Sequence, residues 1–396
     1  MNLLDTLGLS ELKVPLKKEE EDRLVKQLDI YAPFLEEQRA LIHKKTTPSI
    51  LPPCTHFFSQ DNCNTEKEGR AWISQGKVAV LILAGGQGSR LKAGLPKGLV
   101  KVSPVSGKTL FEILCEKIKA AAQFAKVDIP VAIMTSSFNH EETVAFFKEH
   151  HNFGLSLSFF QQGNLPFITK EGQWLYDSPG LLAVGPDGNG HALHLLVKNG
   201  IYEQWKERGI EHVSTLFVDN PLAHPLDPSF IGLACKTDVD ALLKAVQRSH
   251  PHEKMGVIGQ GKEGIRVIEY SELPYDPSPY TLSSIGIFCV KMSLIPKLPP
   301  FKLHLAWKEV TLSTQTQLLG KCERFLFDLL EYTKKSAVFV APREITYAPL
   351  KDQVGERDLK SVQKALIHYN RLLYKKITGK DPGNDVLELP ADFEYI

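Results

Sequence analysis

The residues between Leu83 and Lys97 have the types and spacing of a phosphate site. Val78-Ala79-Val80-Leu81-Ile82-Leu83 runs without a polar residue into Ala84-Gly85-Gly86-Gln87-Gly88-Ser89-Arg90. An apolar run ending in glycines predicts a buried strand whose carboxyl end opens into a loop, the place where ligands collect in open α/β sheets. Glycine lets backbone N–H groups approach an anion with no Cβ in the way. Arg90 adds a planar, permanently charged fork, and Lys97, between Pro96 and Gly98, puts a second cation on the same loop. That concentration of positive charge suits polyphosphate transfer, in which negative charge builds on the leaving oxygens as a bond breaks. Taken alone, the stretch reads equally as an ordinary strand-to-helix turn followed by a solvated lysine. Two better-known phosphate motifs are absent: a dinucleotide fingerprint needs glycine where Leu91 stands, and a P-loop ending in Gly107-Lys108-Thr109 needs one where Val102 stands. Further along, Leu216-Phe217-Val218 leads into Asp219-Asn220. A carboxylate so placed suits a Mg²⁺ ligand at the carboxyl edge of a sheet, and suits a turn or helix cap as well.

The order of these motifs resembles the eukaryotic-type UDP-sugar pyrophosphorylase family, above all its UDP-N-acetylhexosamine branch. That family carries Leu-Ala-Gly-Gly-x-Gly-Thr-Arg-Leu-Gly, a short spacer and Pro-Lys-Gly; here Ser89 replaces the threonine and Lys92 a glycine. The resemblance makes Leu83, Ala84, Gly85 and Gly86 part of the substrate loop and Arg90 and Lys97 its catalytic cations. Phe159-Phe160-Gln161-Gln162-Gly163-Asn164-Leu165-Pro166 is similar to the segment that reads uracil, with Gln162 facing the base. One amide supplies both the donor and the acceptor that an imide edge requires. Pro186-Asp187-Gly188-Asn189-Gly190-His191 resembles a stretch in which the glycine backbone contacts the base and the asparagine the sugar, which implicates Gly188 and Asn189; His191 stands where a second glycine is usual. Ile268-Glu269-Tyr270-Ser271-Glu272 resembles a sugar-binding segment and makes Glu269 a candidate for a sugar hydroxyl. Where the family has Asn-Ala-Gly-Asn, this chain has Ser283-Ser284-Ile285-Gly286 and lacks the asparagine that senses the N-acetyl group. Phe325-Leu326-Phe327-Asp328 and Tyr347-Ala348-Pro349-Leu350-Lys351 continue the likeness, which places Lys351 on the phosphates and the metal on Asp219. The implied reaction joins UTP and a sugar 1-phosphate to give UDP-sugar and pyrophosphate with Mg²⁺ as cofactor, N-acetylglucosamine 1-phosphate being the leading sugar. A UTP–glucose-1-phosphate uridylyltransferase or broad UDP-sugar pyrophosphorylase is the alternative within the class, and a non-catalytic nucleotide-sugar sensor the alternative outside it.

Such a site needs a rigid sheet behind it. Val78 to Leu83, Val131 to Thr135, Leu155 to Phe160, Val213 to Val218 and Ala241 to Val246 read as buried strands. Leu110 to Ala125, Glu141 to Glu149 and His191 to Glu207 between them read as helices. Strand and helix in alternation imply an α/β fold with a mostly parallel sheet; the resemblance makes it Rossmann-like, of the glycosyltransferase-A and nucleotidyltransferase type. Ahead of it, Leu16 to Lys45 is charge-dense with helical periodicity, and Pro33 predicts two helices there rather than one. Pro48 to Asn64 reads as an extended connector. Past Ala341 come one helix, Asp358 to Tyr374, and a polar tail from Lys380 that reads as a small docking domain or a frayed end. The expected segments are a helical arm and connector over 1–75, a catalytic domain over 76–345 and a short C-terminal piece over 346–396.

The chain has 396 residues, with 47 Lys and Arg against 46 Asp and Glu, and this near balance makes no electrostatic case for nucleic acid or an anionic membrane surface. Asp5 follows Met1-Asn2-Leu3-Leu4 with no basic stretch before an apolar run, and no window reaches about 18 apolar residues, so neither a signal peptide nor a membrane span is expected. The six cysteines form no CxxC pair and read as reduced thiols of a cytoplasmic protein. His191 and His194 lie one helical turn apart without a third ligand, which is poor support for a metal site.

Overall fold

Val78–Leu83 is an inner strand with neighbours on both edges and all six side chains buried, as in a mostly parallel sheet covered on both faces. A computed structural model of the protein describes residues 16–44, 51–86, 88, 94–262, 264–313 and 315–395. The main sheet contains, in chain order, β1 (Phe58–Ser59), β2 (Val78–Leu83), β3 (Pro130–Thr135), β4 (Ser156–Gln161), β5 (His212–Phe217), β6 (Ala241–Gln247), β7 (Val257–Gly261), β8 (Gly264–Ile268), β9 (Leu282–Lys291) and β10 (Ser336–Val340). Their spatial order is β1-β10-β6-β9-β5-β2-β3-β4, with β7 joined to β8 and β9. Pairing along this path is parallel except where β9 runs against β6 and β5. The chain steps from β2 outward to β3 and β4, then returns to β5 on the other side of β2. The topological switch therefore falls between β2 and β5, the position beyond whose strand ends ligands bind in open α/β sheets.

Contacts divide the chain into two compact units that interleave along the sequence. The larger contains Pro48–Gln161, Ala192–Pro299 and Leu329–Ile396 and holds the whole main sheet. Helix Leu110–Ala125 opens on a reciprocal capping box, in which Thr109 Oγ1 accepts from Glu112 N–H and Glu112 Oε2 accepts from Thr109 N–H. The expected helix from His191 to Glu207 is in fact two, Ala192–Lys198 and Ile201–Glu207, broken at Gly200 in the left-handed region with φ of 72°. The described part of the expected connector is held to the sheet: Cys54 N–H donates to Ile258 O, Gln260 N–H donates to Pro52 O, and β1 adds a parallel edge to β10. The C-terminal tail is strapped to the same unit. Glu388 accepts hydrogen bonds from Ser103 Oγ and from both Ser106 N–H and Ser106 Oγ, and Leu389 N–H donates to Asn370 Oδ1.

The smaller unit consists of the described residues of Met1–Thr47 with Gln162–His191 and Pro300–Asp328. Its helix Lys18–Ile42 is continuous through Pro33, contrary to the two helices expected. An interior proline costs about 3 kcal/mol, but Leu24, Leu28 and Leu35 are buried together with Ile168, Trp174 and Leu182, and each buried leucine contributes roughly 1.5–3 kcal/mol. Gln38 is fully buried and pins the helix through Nε2 to Pro166 O and through Oε1, which accepts from Trp174 Nε1. The antiparallel hairpin His304–Thr311 with Thr316–Glu323 completes this unit. Among the described residues no helix is long and apolar enough to cross a membrane, and all six cysteines are free thiols.

Candidate functional site

The end of β2 is fixed from three directions. Val218 N–H donates to Leu83 O at 3.1 Å, Ala84 N–H donates to Met134 O at 2.8 Å, and Asn139 Nδ2 donates to Ala84 O at 2.8 Å. Gly85 is buried and Gly86 exposed, so the loop turns outward there. Arg90, together with Gln87, Ser89 and Leu91 to Ala93, lies outside the described residues. The chain resumes before Lys97, which opens a single 3-10 turn, Lys97–Leu99. This turn packs on helix Leu110–Ala125 so closely that a Cβ on Gly98 would lie 2.0 Å from the Phe111 ring.

Lys97, Asp219 and Lys351 meet at the switch. Asp219 lies just beyond β5; its Oδ2 is 3.2 Å from Lys97 Nζ and 3.9 Å from Lys351 Nζ. The three side chains are 14, 13 and 28% exposed, so their charges act on one another with only part of water's screening. Burial, and then the Asp219 charge, push the nearby Tyr347 hydroxyl well above its ordinary pKa. Two ammonium groups gathered on one carboxylate form an anion-binding corner suited to phosphate oxygens. Among the described residues no three His, Cys, Asp or Glu side chains group to hold a metal. Mg²⁺ is ordinarily held by one or two carboxylates with substrate phosphates and water supplying the rest. Asp219 fits an ion shared in that way with a polyphosphate.

Glu269 follows β8 and closes the turn Tyr270–Glu272, whose Glu272 N–H donates to Glu269 O. Ser284, where the family's asparagine segment would fall, lies in β9; its N–H donates to Gly256 O and its hydroxyl accepts from Gly286 N–H. His194 Nε2 donates to the carbonyls of Leu298 and Pro299.

The smaller unit carries Gln162, Gly188 and Asn189. Gln162 is 7% exposed and precedes Gly163, whose carbonyl accepts from Asp187 N–H. Gly188 adopts φ of 89°, and a Cβ there would fall 2.3 Å from Arg324 O. The turn is then laced to the segment after the hairpin: Arg324 N–H donates to Asp187 O, Gly190 N–H to Arg324 O, and Leu326 N–H to Asn189 Oδ1 at 2.7 Å. That last bond holds the Asn189 side chain by its carbonyl oxygen. His304 Nε2 bonds to buried Asp328 at 2.8 Å with its ring against Phe325 and Phe327.

Three polar residues of this architecture escaped the sequence: Asn139, Asn220 and His304. Asn139 stands where an asparagine caps helix His140–Glu149, yet its side chain makes no capping bond and is directed to Ala84 O instead. Asn220 is 3% exposed and bonded to Thr346 O, Ala348 N–H and Leu222 N–H. Its only sequence signal was its place beside Asp219.

With this geometry established, known proteins offer a comparison. Residues 29–285 match the model of the UTP–glucose-1-phosphate uridylyltransferase family. The chain is 33% identical over 383 residues to UDP-N-acetylglucosamine diphosphorylase 2 of Arabidopsis thaliana, across 86% of this chain and 76% of that protein. It is 40% identical over 236 residues to the UDP-N-acetylglucosamine pyrophosphorylase of Saccharomyces cerevisiae, across 57% of this chain and 50% of that one. The crystal structure of the Trypanosoma brucei uridine diphosphate N-acetylglucosamine pyrophosphorylase superposes with a TM-score of 0.81 over 97% of this chain and 86% of its own, at 24% identity, and shares the fold.

Proposed function

The chain belongs to the UTP–glucose-1-phosphate uridylyltransferase family, and on that premise we propose that it transfers a uridylyl group from UTP to N-acetylglucosamine 1-phosphate in the cytoplasm. The observation that carries this reading is the convergence of Lys97 and Lys351 on Asp219 at the sheet's switch, directly beyond the glycine-rich end of β2. An oxygen of the sugar phosphate attacks the α-phosphorus of UTP in line; the new P–O bond forms as the bond to the β-phosphate bridge breaks, and pyrophosphate leaves with the electron pair. No base is required, because a phosphate dianion is already nucleophilic. The protein's contribution is positioning and charge neutralisation. Lys97 and Arg90 serve the triphosphate, Lys351 the sugar phosphate, and the backbone from Leu83 to Gly86 lines the approach. Gln162 and Gly188 take the base, and Asn189 and Glu269 the sugar. Mg²⁺, held by Asp219 and phosphate oxygens, would neutralise charge at the phosphates undergoing transfer.

A second sugar has a specific observation in its favour. Ser284 occupies the region of the family's N-acetyl-sensing asparagine, and His191 replaces a glycine beside Asn189, which supports glucose 1-phosphate as the alternative. The deciding experiment measures pyrophosphate release from UTP, Mg²⁺ and a panel of sugar 1-phosphates. Turnover highest with N-acetylglucosamine 1-phosphate is expected, and preference for glucose 1-phosphate selects the alternative. Binding of UDP-sugar by calorimetry with no pyrophosphate from any member of the panel would make the protein a sensor and overturn both.

A further inference from the structure

Lys351 reaches the site from far along the chain, and its long flexible stem leaves the position of its ammonium group dependent on where its backbone is held. The segment that delivers it, Thr346 to Leu350, hangs from the two residues after β5. Asn220 Nδ2 donates to Thr346 O at 2.9 Å, Asn220 Oδ1 accepts from Ala348 N–H at 3.0 Å, and Asp219 O accepts from Leu350 N–H at 2.8 Å. On the far side of the lysine, both Lys351 N–H and Asp352 N–H donate to Arg357 O. Asn220 also accepts from Leu222 N–H at 3.3 Å, a local bond of the kind asparagine makes in many turns. The other two side-chain bonds span 126 and 128 residues and have no local purpose. With the side chain 3% exposed, water is poorly placed to replace them.

We infer that Asn220 is a positioning residue for the transfer reaction: its carboxamide registers the Thr346 to Lys351 segment so that the Lys351 ammonium meets the sugar phosphate beside Asp219. This rests on the uridylyltransferase reading. One amide is suited to the task because it offers a donor to one backbone carbonyl and an acceptor to a backbone N–H two residues on. The same side chain follows the metal-ligand candidate in the chain, so Asp219 and Lys351 are set by one corner.

The test is a double-mutant cycle of Asn220→Ala and Lys351→Ala on the full chain, with KM for each substrate resolved and amide hydrogen exchange followed at Ala348. Asn220→Ala is expected to lower kcat/KM for the sugar 1-phosphate by about ten- to a hundredfold while KM for UTP stays within about twofold. In the Lys351→Ala background the same change should cost less than about threefold, because the group being positioned is gone. Ala348 should exchange faster in Asn220→Ala than in the native protein. Losses that multiply fully in the double variant, or native kinetics in Asn220→Ala, overturn the inference. If Asn220→Ala fails to fold, Asn220→Ser takes its place in the cycle, since its shorter hydroxyl keeps one of the two bonds; a partial loss confined to the sugar phosphate supports the role, and losses that multiply with Lys351→Ala refute it. A native protein that releases no pyrophosphate with any sugar phosphate would instead sink the uridylyltransferase reading, and unchanged exchange at Ala348 would then separately refute the anchor.

Discussion

Lys97 carries the sharpest expectation at the scale of single residues. Its ammonium lies 3.2 Å from Asp219 in a partly dehydrated corner, where a fixed charge acts on developing negative charge more strongly than it would in water. Replacing it with alanine should lower turnover by about two to four orders of magnitude, by analogy with removing one preorganised electrostatic donor. The measurement is steady-state pyrophosphate release at saturating UTP, and near-native turnover would remove Lys97 from the mechanism. Lys97 and Asp219 could be singled out from sequence because each sits in a local pattern, one after a glycine loop and the other after an apolar strand. Lys351 had no local pattern and was reached through resemblance alone. Asn139 and Asn220 were missed for a different reason: each spends its amide on backbone atoms distant in sequence, and such bonds leave no periodicity or spacing to find.

The 3-10 turn that presents Lys97 is an element whose place is set by contact. Gly98 lies against Phe111, itself 1% exposed and fixed in the capped helix Leu110–Ala125. A methyl at position 98 would stand 2.0 Å from the ring, inside any tolerable contact. Gly98→Ala should therefore destabilise the protein by about 1–3 kcal/mol, the usual cost of overpacking, and should reduce turnover by displacing Lys97. Thermal unfolding and turnover together check this. Adding Phe111→Leu, which empties space beside the methyl, should recover part of both losses, whereas strictly additive losses would count against the contact as the cause. The elements most easily read from sequence were those with uniform burial, such as β2, where all six positions face the interior and the whole run is apolar. The proline argument failed at Pro33 because three leucines of one helix face outweigh one lost backbone bond. The break at Gly200 went unseen because apolar spacing continues on both sides of it. The antiparallel course of β9 could not be read at all, since strand direction depends on partners and not on the strand's own composition.

At the scale of the whole molecule, the two units interleave along the sequence, and helix Lys18–Ile42 finds its apolar partners in residues 168–182, which are remote in sequence. The same long-range burial gives the larger unit an acid sensitivity centred on His212. This residue opens β5 at the edge of the sheet away from the candidate site and is 4% exposed. Trp72 Nε1 donates to its Nδ1 at 3.2 Å, which requires that nitrogen to be unprotonated, and Nε2 has no hydrogen-bond partner among the described residues. Glu211, Asp238, Lys77, Lys291 and the Cys235 thiol surround the ring with opposing influences. Burial dominates and lowers the imidazole pKa from 6.5 to about 4. Between these values the unfolded chain binds a proton that the folded chain refuses, so stability falls as pH drops from 6.5 towards 4. The full span corresponds to at most about 3 kcal/mol from this one group. Urea unfolding measured across that window should show the slope, and His212→Gln, whose amide oxygen can still accept from Trp72, should be less stable near neutral pH yet distinctly flatter below it. Parallel pH profiles for the two proteins would assign the acid sensitivity to the surrounding carboxylates.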